Sequence, residues 1–181
     1  MLRVFLSENE AQLAQRWCDL IFDTYPESAA RFLKARSNQF ANPTGSTIKS
    51  EIATLLKGLI DGEEPKVLAA KVNTIVKIRA VQDFLPSAAV SFVFLLKQAL
   101  KELLGERRYE PNLAEELSAF EDEIDRLALL VFDSYLACRE QIFQLKISEI
   151  KDRSMMLQER MHRIQAETLG DRDNGPNNNV S

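Results

Sequence analysis

Apolar residues recur at intervals of three and four along most of the chain, the period at which one face of a helix is buried. The first such stripe consists of Leu13, Trp17, Leu20, Ile21 and Thr24. Proline and glycine interrupt the pattern at intervals that suit helices. The pattern predicts an all-α domain of about six helices, at about residues 7–24, 26–33, 45–61, 65–83, 86–104 and 111–170.

Several predicted helix boundaries have signals of their own. Ser7 and Glu10 form a capping-box pattern at the start of the first helix. Residues 40–45 contain an Asn-Pro pair and a glycine, which predict a turn before the third helix, and Gly62 predicts its end. Residues 88–104 are the most apolar stretch and predict one continuous helix at the centre of the fold.

The last predicted helix is too long to lie within the core of a domain of this size. It begins after Pro111 and meets no stop signal before Gly170. At 1.5 Å per residue, this corresponds to roughly 80 Å. Its first half, from Leu117 to Ile142, carries an apolar stripe that can pack on the other helices. The apolar residues of its second half must therefore pack against something other than that core.

That second half contains apolar residues with alternating spacings of four and three, a strict 3.5-residue period. Charged residues surround them, which favours self-association as a coiled coil. The alternative is a helix that folds back on its own domain. The sequence thus predicts a sensor domain at 1–142, a coiled-coil stalk at 143–169 and a disordered tail at 170–181. We call the following residues the heptad seam: Phe143, Ile147, Ile150, Ser154, Leu157, Met161 and Ile164.

Composition narrows the class of protein further. A net charge of −4 over 181 residues argues against a nucleic-acid partner bound through bulk electrostatics. No apolar run approaches the ~20 residues of a membrane-spanning helix, and the N-terminus lacks the apolar run of a signal peptide. Cys18 and Cys138 are the only cysteines, too few for a disulfide framework. We expect a cytoplasmic protein without membrane insertion.

Residues that carry catalytic or cofactor chemistry are scarce. The single histidine, His162, falls in the predicted stalk, so the domain has no proximal histidine for haem. Two distant cysteines and one histidine lack the spacing of a zinc site. No phosphate-binding glycine loop occurs. The acidic stretch 121–125 fits a solvated helix face. We therefore expect no catalytic residues, no cofactor and no metal, and hence no enzyme.

One polar cluster lies at the junction of two apolar helices, within residues 78–87. Two interpretations remain open. Asp83 and Ser87 fit as simple caps of the helix that starts at Pro86. Alternatively, Arg79, Gln82 and Asp83 form an inner polar cluster that binds a small ligand or locks a switchable junction. Such networks are sensitive to displacement because every buried member needs a partner.

Four segments in this order resemble the RsbRD-type N-terminal domain, the sensory half of stressosome RsbT co-antagonist proteins: 17–26, 40–45, 78–87 and 92–97. The resemblance covers about residues 8–145. It implies a globin-like domain that does not bind haem, dimerises and projects a helix toward an output domain. In full-length members of the family, that helix joins a STAS domain.

We expect no STAS domain after residue 170, so the resemblance would imply output to a separate chain. The expected partners are a second copy of the chain and a STAS-type protein or kinase regulator. Similar stand-alone domains occur in anaerobic sulfate-reducing bacteria. The alternative function is therefore an accessory or assembly subunit of a larger redox enzyme complex.

Overall fold

A computed structural model describes residues 1–35, 42–82 and 84–173, with side chains described up to residue 165. Asp83 and the predicted tail beyond residue 173 lie outside these ranges. Within them all regular structure is helical, which confirms the all-α prediction. The helices are α1 (Leu2–Glu8), α2 (Glu10–Phe22), α3 (Glu27–Lys34), α4 (Pro43–Asp61), α5 (Pro65–Val81), α6 (Pro86–Ser91), α7 (Leu95–Leu104), a 3-10 helix (Gly105–Tyr109) and α8 (Pro111–Asp173).

The chain divides into two units, unit 1 at Met1–Arg139 and unit 2 at Glu140–Ser181. In unit 1, α2 packs on α4 and α7, and α4 packs on α5. Most core side chains come from the stripes that the spacing predicted, and burying each large one contributes about 1.5–3 kcal/mol. Among the fully buried members are Trp17, Ile21, Ile52, Leu56, Ile75, Leu100 and Ile124.

The N-terminal residues form a helix that the pattern did not predict. Ser7 lies inside α1, so the predicted capping box is wrong. The residue before α2 is Asn9, whose side-chain nitrogen donates to the carbonyl of Phe5 at 2.8 Å. Leu2 and Leu6 are fully buried in unit 1. Their burial stabilises a helix of only seven residues that would not be stable alone.

The boundaries of α4 follow local signals, one of them differently from the prediction. The Asn42 side chain accepts a hydrogen bond from the Gly45 amide at 2.9 Å, and Pro43 is the first helical residue. The helix therefore begins within the predicted turn, because Asn at the N-cap and Pro after it both favour a helix start. Gly62 ends α4 with φ 73°, as predicted.

Residues 88–104 do not form the single helix that their apolar character predicted. Residues 92–94 form a turn between α6 and α7. There the amides of Val93 and Phe94 donate to carbonyls three residues back, and Trp17 Nε1 donates to the Phe92 carbonyl at 2.7 Å. Burying the indole N–H requires an acceptor, and this turn provides one.

Helix α8 extends over 63 residues, from Pro111 to Asp173. It includes Gly170, at which the sequence predicted its end. A glycine within a helix costs about 1 kcal/mol relative to alanine but does not by itself end the helix. Its part within unit 1 buries Leu113, Leu117, Phe120, Ile124, Leu127, Val131 and Tyr135.

Candidate functional site

A buried arginine forms the centre of the junction between α5 and α6. Arg79 is fully buried, and its guanidinium carbon lies 4.5 Å from the ring centre of Phe84. The rings of Tyr25 and Phe92 are each 5.4 Å away. We call these three rings the aromatic cage. Ring faces carry negative partial charge, so the aromatic cage stabilises the cation without supplying a counter-ion.

The hydrogen bonds of Arg79 are incomplete. Its Nη2 donates to Thr24 Oγ1 at 3.3 Å and to the Ala88 carbonyl at 3.2 Å. Its Nε and Nη1 have no hydrogen-bond partner among the described residues. Burial lowers the pKa of Arg79, an effect that Tyr25 partly opposes. A buried cation with donors left over is costly, so this junction is less stable than an apolar one would be.

The other members of the predicted polar cluster differ in their placement. Gln82 is exposed, and its side-chain oxygen accepts a hydrogen bond from the Tyr25 hydroxyl at 3.1 Å. Arg79 and Gln82 therefore meet on the same tyrosine. Asp83 lies outside the described residues. The N-cap of α6 is Leu85, and no described side chain caps this helix, so the predicted cap by Ser87 is wrong.

Two side chains of α8 hold the backbone of the same junction. The Tyr135 hydroxyl donates to the Phe84 carbonyl. Arg139 Nη1 donates to the Ala80 carbonyl at 3.1 Å. These contacts join residues more than 50 positions apart, so no local pattern could have revealed them. They connect the aromatic cage to the helix that also carries the heptad seam.

The heptad seam lies in unit 2, where α8 presents it without cover from the described residues of that unit. Phe143, Ile150, Leu157, Met161 and Ile164 are each more than half exposed. Ile147 is partly exposed, and Ser154 is exposed. A row of large apolar side chains on one face of a helix marks an interaction surface more often than chance exposure does.

Unit 1 has a smaller set of exposed apolar residues on α8, which sequence reasoning missed. Leu129 is 69% exposed, Leu136 is 44% exposed and Phe132 is 38% exposed. A signal for them was available, because Leu129 and Leu136 stand fourteen and seven residues before Phe143. These two leucines thus continue every second seam position toward the N-terminus, whereas the seam positions in between, Asp133 and Glu140, are acidic.

The acidic stretch 121–125 is solvated only in part: Asp122 and Asp125 are exposed, whereas Glu121 and Glu123 are partly buried. Three of its members form ion pairs with bases of α1 and α7: Glu121 with Lys101 at 3.5 Å, Glu123 with Arg3 at 2.7 Å and Asp125 with Lys97 at 2.7 Å. These pairs join α8 to other helices of unit 1. Their role is therefore structural.

The described residues do not assemble a recognisable catalytic or metal site. No group of three or more histidine, cysteine or acidic side chains among them could hold a metal ion. His162 is exposed. Burial raises the pKa of the Cys18 thiol to about 12, so it is a poor nucleophile near neutral pH. No described helix is long and apolar enough to cross a membrane.

The described residues of unit 1 hold a charged aromatic junction, and those of unit 2 expose an apolar face of α8, a feature typical of interaction modules. The comparison with sequence families agrees. Residues 11–149 match the family described as the RsbT co-antagonist protein rsbRD N-terminal domain. This match covers more than half of the chain, so the protein belongs to that family, which is a regulatory sensor type. Neither the search of curated proteins nor that of solved structures returned a match.

Proposed function

We propose that this protein is a non-enzymatic, haem-free regulatory module of the cytoplasm. In this proposal it pairs with a second copy through the heptad seam, and it relays a signal to a separate partner protein through its C-terminal helix. Family membership supports a stressosome-type sensor role. The observation that carries the proposal is the exposed heptad seam itself.

The physical reason for pairing is the apolar area that the heptad seam leaves in water. Covering a Leu, Ile, Phe or Met side chain stabilises a complex by about 1.5–3 kcal/mol each. Six of the seven seam residues are of this kind. Knobs-into-holes packing along a 3.5-residue repeat covers all of them at once, which a single helix cannot do.

The direct test is a double variant, Ile150→Asp with Leu157→Asp. Charges buried between helices are strongly unfavourable, so we expect the dimer mass to fall to that of a monomer in light scattering. The matched control is Asp152→Asn with Glu159→Gln, two exposed positions of the same helix outside the heptad seam. A monomeric wild type, or a double variant that remains dimeric, would contradict the proposal.

The relay is proposed to start at the Arg79 junction. The guanidinium holds together α5, the aromatic cage and the Ala88 carbonyl, while Tyr135 and Arg139 tie the junction backbone to α8. A ligand or partner group that bound Nε and Nη1 of Arg79, which have no partner among the described residues, would change this balance. Helix shifts between discrete packings would then carry the change along α8.

The relay predicts that a substitution at Arg79 changes the hydrogen exchange of backbone amides in the heptad seam. In the variant Arg79→Met, an apolar side chain of similar length fills the aromatic cage. We expect the fold to persist and the hydrogen exchange of amides in residues 135–165 to change. Arg31→Met, at an exposed arginine of α3 that pairs with Glu27, is the control. If Arg79→Met leaves exchange in the heptad seam unaltered, the chain fits a fixed accessory or assembly subunit better than a relay.

A further inference from the structure

The residues that flank the heptad seam carry charge of one sign only. We define the seam flanks as the positions directly before Ile147, Ser154 and Met161, and directly after the remaining seam residues. All of these side chains are exposed. Their charged members are all basic, whereas the acids Glu149, Asp152 and Glu159 lie outside them. The seam flanks are Gln144, Lys146, Lys151, Arg153, Gln158, Arg160 and Gln165.

This arrangement gives a second copy of the chain no ionic attraction. In a parallel pair, a flank residue that precedes a seam residue meets the residue five positions later on the other helix, so Lys146 faces Lys151 of the second copy. Arg153 and Arg160 likewise face glutamines. In an antiparallel pair, the row Lys146, Arg153 and Arg160 faces its own copy. Like charges at such positions destabilise the pair, so self-association rests on the apolar seam alone.

Ion pairs within the chain leave these bases available. Arg153 pairs with Glu149 at 2.7 Å, but the two side chains remain 74% and 61% exposed. Such exposed pairs one helical turn apart contribute about 0.3–0.5 kcal/mol, so a partner can displace them. Lys146, Lys151 and Arg160 form no ion pair with any described residue.

We infer that the preferred occupant of the heptad seam is an amphipathic helix of a different chain with acidic residues at its flanks. This inference rests on the proposed function, because it requires that the seam pairs with a helix at all. Such a helix keeps the apolar packing and replaces repulsion with up to four ion pairs. The second copy is then the weaker partner, which the acidic helix displaces. The output signal is this exchange of helices.

The test uses two synthetic helices of about 28 residues, four heptads each. Both carry Leu and Ile at the seam positions, one with Glu and the other with Lys at every flank. Each peptide is labelled and titrated with the protein, and binding is followed by fluorescence anisotropy. The Glu peptide should bind about tenfold more tightly than the Lys peptide. The preference should shrink at 1 M salt, where the Debye length is about 3 Å.

A charge-reversed chain supplies the matched control. Lys146→Glu, Lys151→Glu, Arg153→Glu and Arg160→Glu leave the heptad seam intact and should invert the preference between the two peptides. Self-association of the wild type should strengthen with added salt, because salt screens like charges. Equal binding of both peptides, or self-association that weakens with salt, would overturn the inference and leave the proposed dimer standing. Binding that survives Ile150→Asp with Leu157→Asp would instead refute the proposed function.

Discussion

Two stretches of the same helix carry similar apolar spacing and have opposite environments. In residues 113–135 of α8, the apolar stripe is buried in unit 1, with Ile124 and Val131 fully covered. In residues 143–164, a stripe with spacings of three and four is largely exposed in unit 2. Spacing therefore says that a helix has one apolar face, but not which chain covers it.

Charge distinguishes the two stretches better than hydrophobicity does. The acids of the first stretch pair with bases on α1 and α7, as Glu123 does with Arg3 at 2.7 Å. The bases at the seam flanks of the second stretch have no cross-helix partner among the described residues. A helix whose charged side chains form ion pairs with other helices is already packed against those helices. A helix whose flanks carry charge of one sign, with no cross-helix partner among the described residues, is still open to a neighbour.

The largest expected effect is the difference in stability loss between truncating a buried and truncating an exposed apolar residue of α8. Phe120→Ala should destabilise unit 1 by about 3–5 kcal/mol, because it removes a buried ring and leaves a cavity. Leu157→Ala should leave the stability of unit 1 nearly unchanged. Urea denaturation followed by the fluorescence of Trp17, the single and fully buried tryptophan, measures this. Equal losses in the two variants would remove the contrast between the stretches.

A second experiment strengthens the apolar packing of the heptad seam instead of disrupting it. Ser154→Leu replaces the one polar seam residue and should tighten the dimer by roughly 1.5–3 kcal/mol for each leucine covered. The matched control is Ser148→Leu, at an exposed serine outside the heptad seam and its flanks. This variant should leave the dimer affinity unchanged. Sedimentation equilibrium gives both dissociation constants. If both variants tighten the dimer alike, the gain comes from general hydrophobicity and not from the seam.

The third effect concerns the link from α8 to the Arg79 junction. Tyr135→Phe leaves the Phe84 carbonyl without its donor and should cost about 1–3 kcal/mol of stability. Amides near the junction should also exchange faster. Tyr109→Phe, at an exposed tyrosine whose hydroxyl contacts Arg108, is the control and should change neither quantity. Unchanged exchange near the junction in Tyr135→Phe would show that this link does not hold α6 in place.

The smallest expected effect is a pH dependence at the surface of unit 1. Hydrogen bonds from Arg16 and Gln98 lower the pKa of Glu102 to about 2, from 4.5. A lowered folded-state pKa means stability that is complete above about pH 4.5 and disappears as the pH falls toward 2. Both partners are about 40% exposed, so the contribution is small.

Glu102→Gln should therefore lower the urea midpoint slightly at pH 7, and the difference from wild type should vanish near pH 2. Glu149→Gln, at the exposed pair of unit 2, is the control and should leave the midpoint of unit 1 unchanged. A difference that grows as the pH falls would reverse the assigned direction of the shift.

Local signals predicted the helical segments of unit 1 better than their connections. Gly62 ends α4 as expected, because its left-handed φ is a property of the residue itself. The break at residues 92–94 was not predictable in this way. Its turn offers a carbonyl to Trp17, which lies 75 positions earlier in the chain. Likewise, α1 forms because the rest of unit 1 buries Leu2 and Leu6.

The candidate junction was predictable only in part, for the same reason. A cluster of polar residues between apolar helices drew attention to Arg79 and Gln82. Distant segments of the chain supply the residues that contact Arg79 or the junction backbone, among them Tyr25, Phe92 and Tyr135. Their sequence positions fit an ordinary apolar stripe, so nothing local marked them as contacts of a buried guanidinium.

The sequence by itself determined the all-α class, the heptad seam and the family, because helical period, heptad period and family resemblance are properties of residue order. Only the tertiary structure decided which stripes are covered and which charges are paired. It buried Arg79 in the aromatic cage, with two nitrogens that have no partner among the described residues, and left the heptad seam largely exposed. Burial and pairing depend on residues far apart in sequence, and only packing brings such residues together.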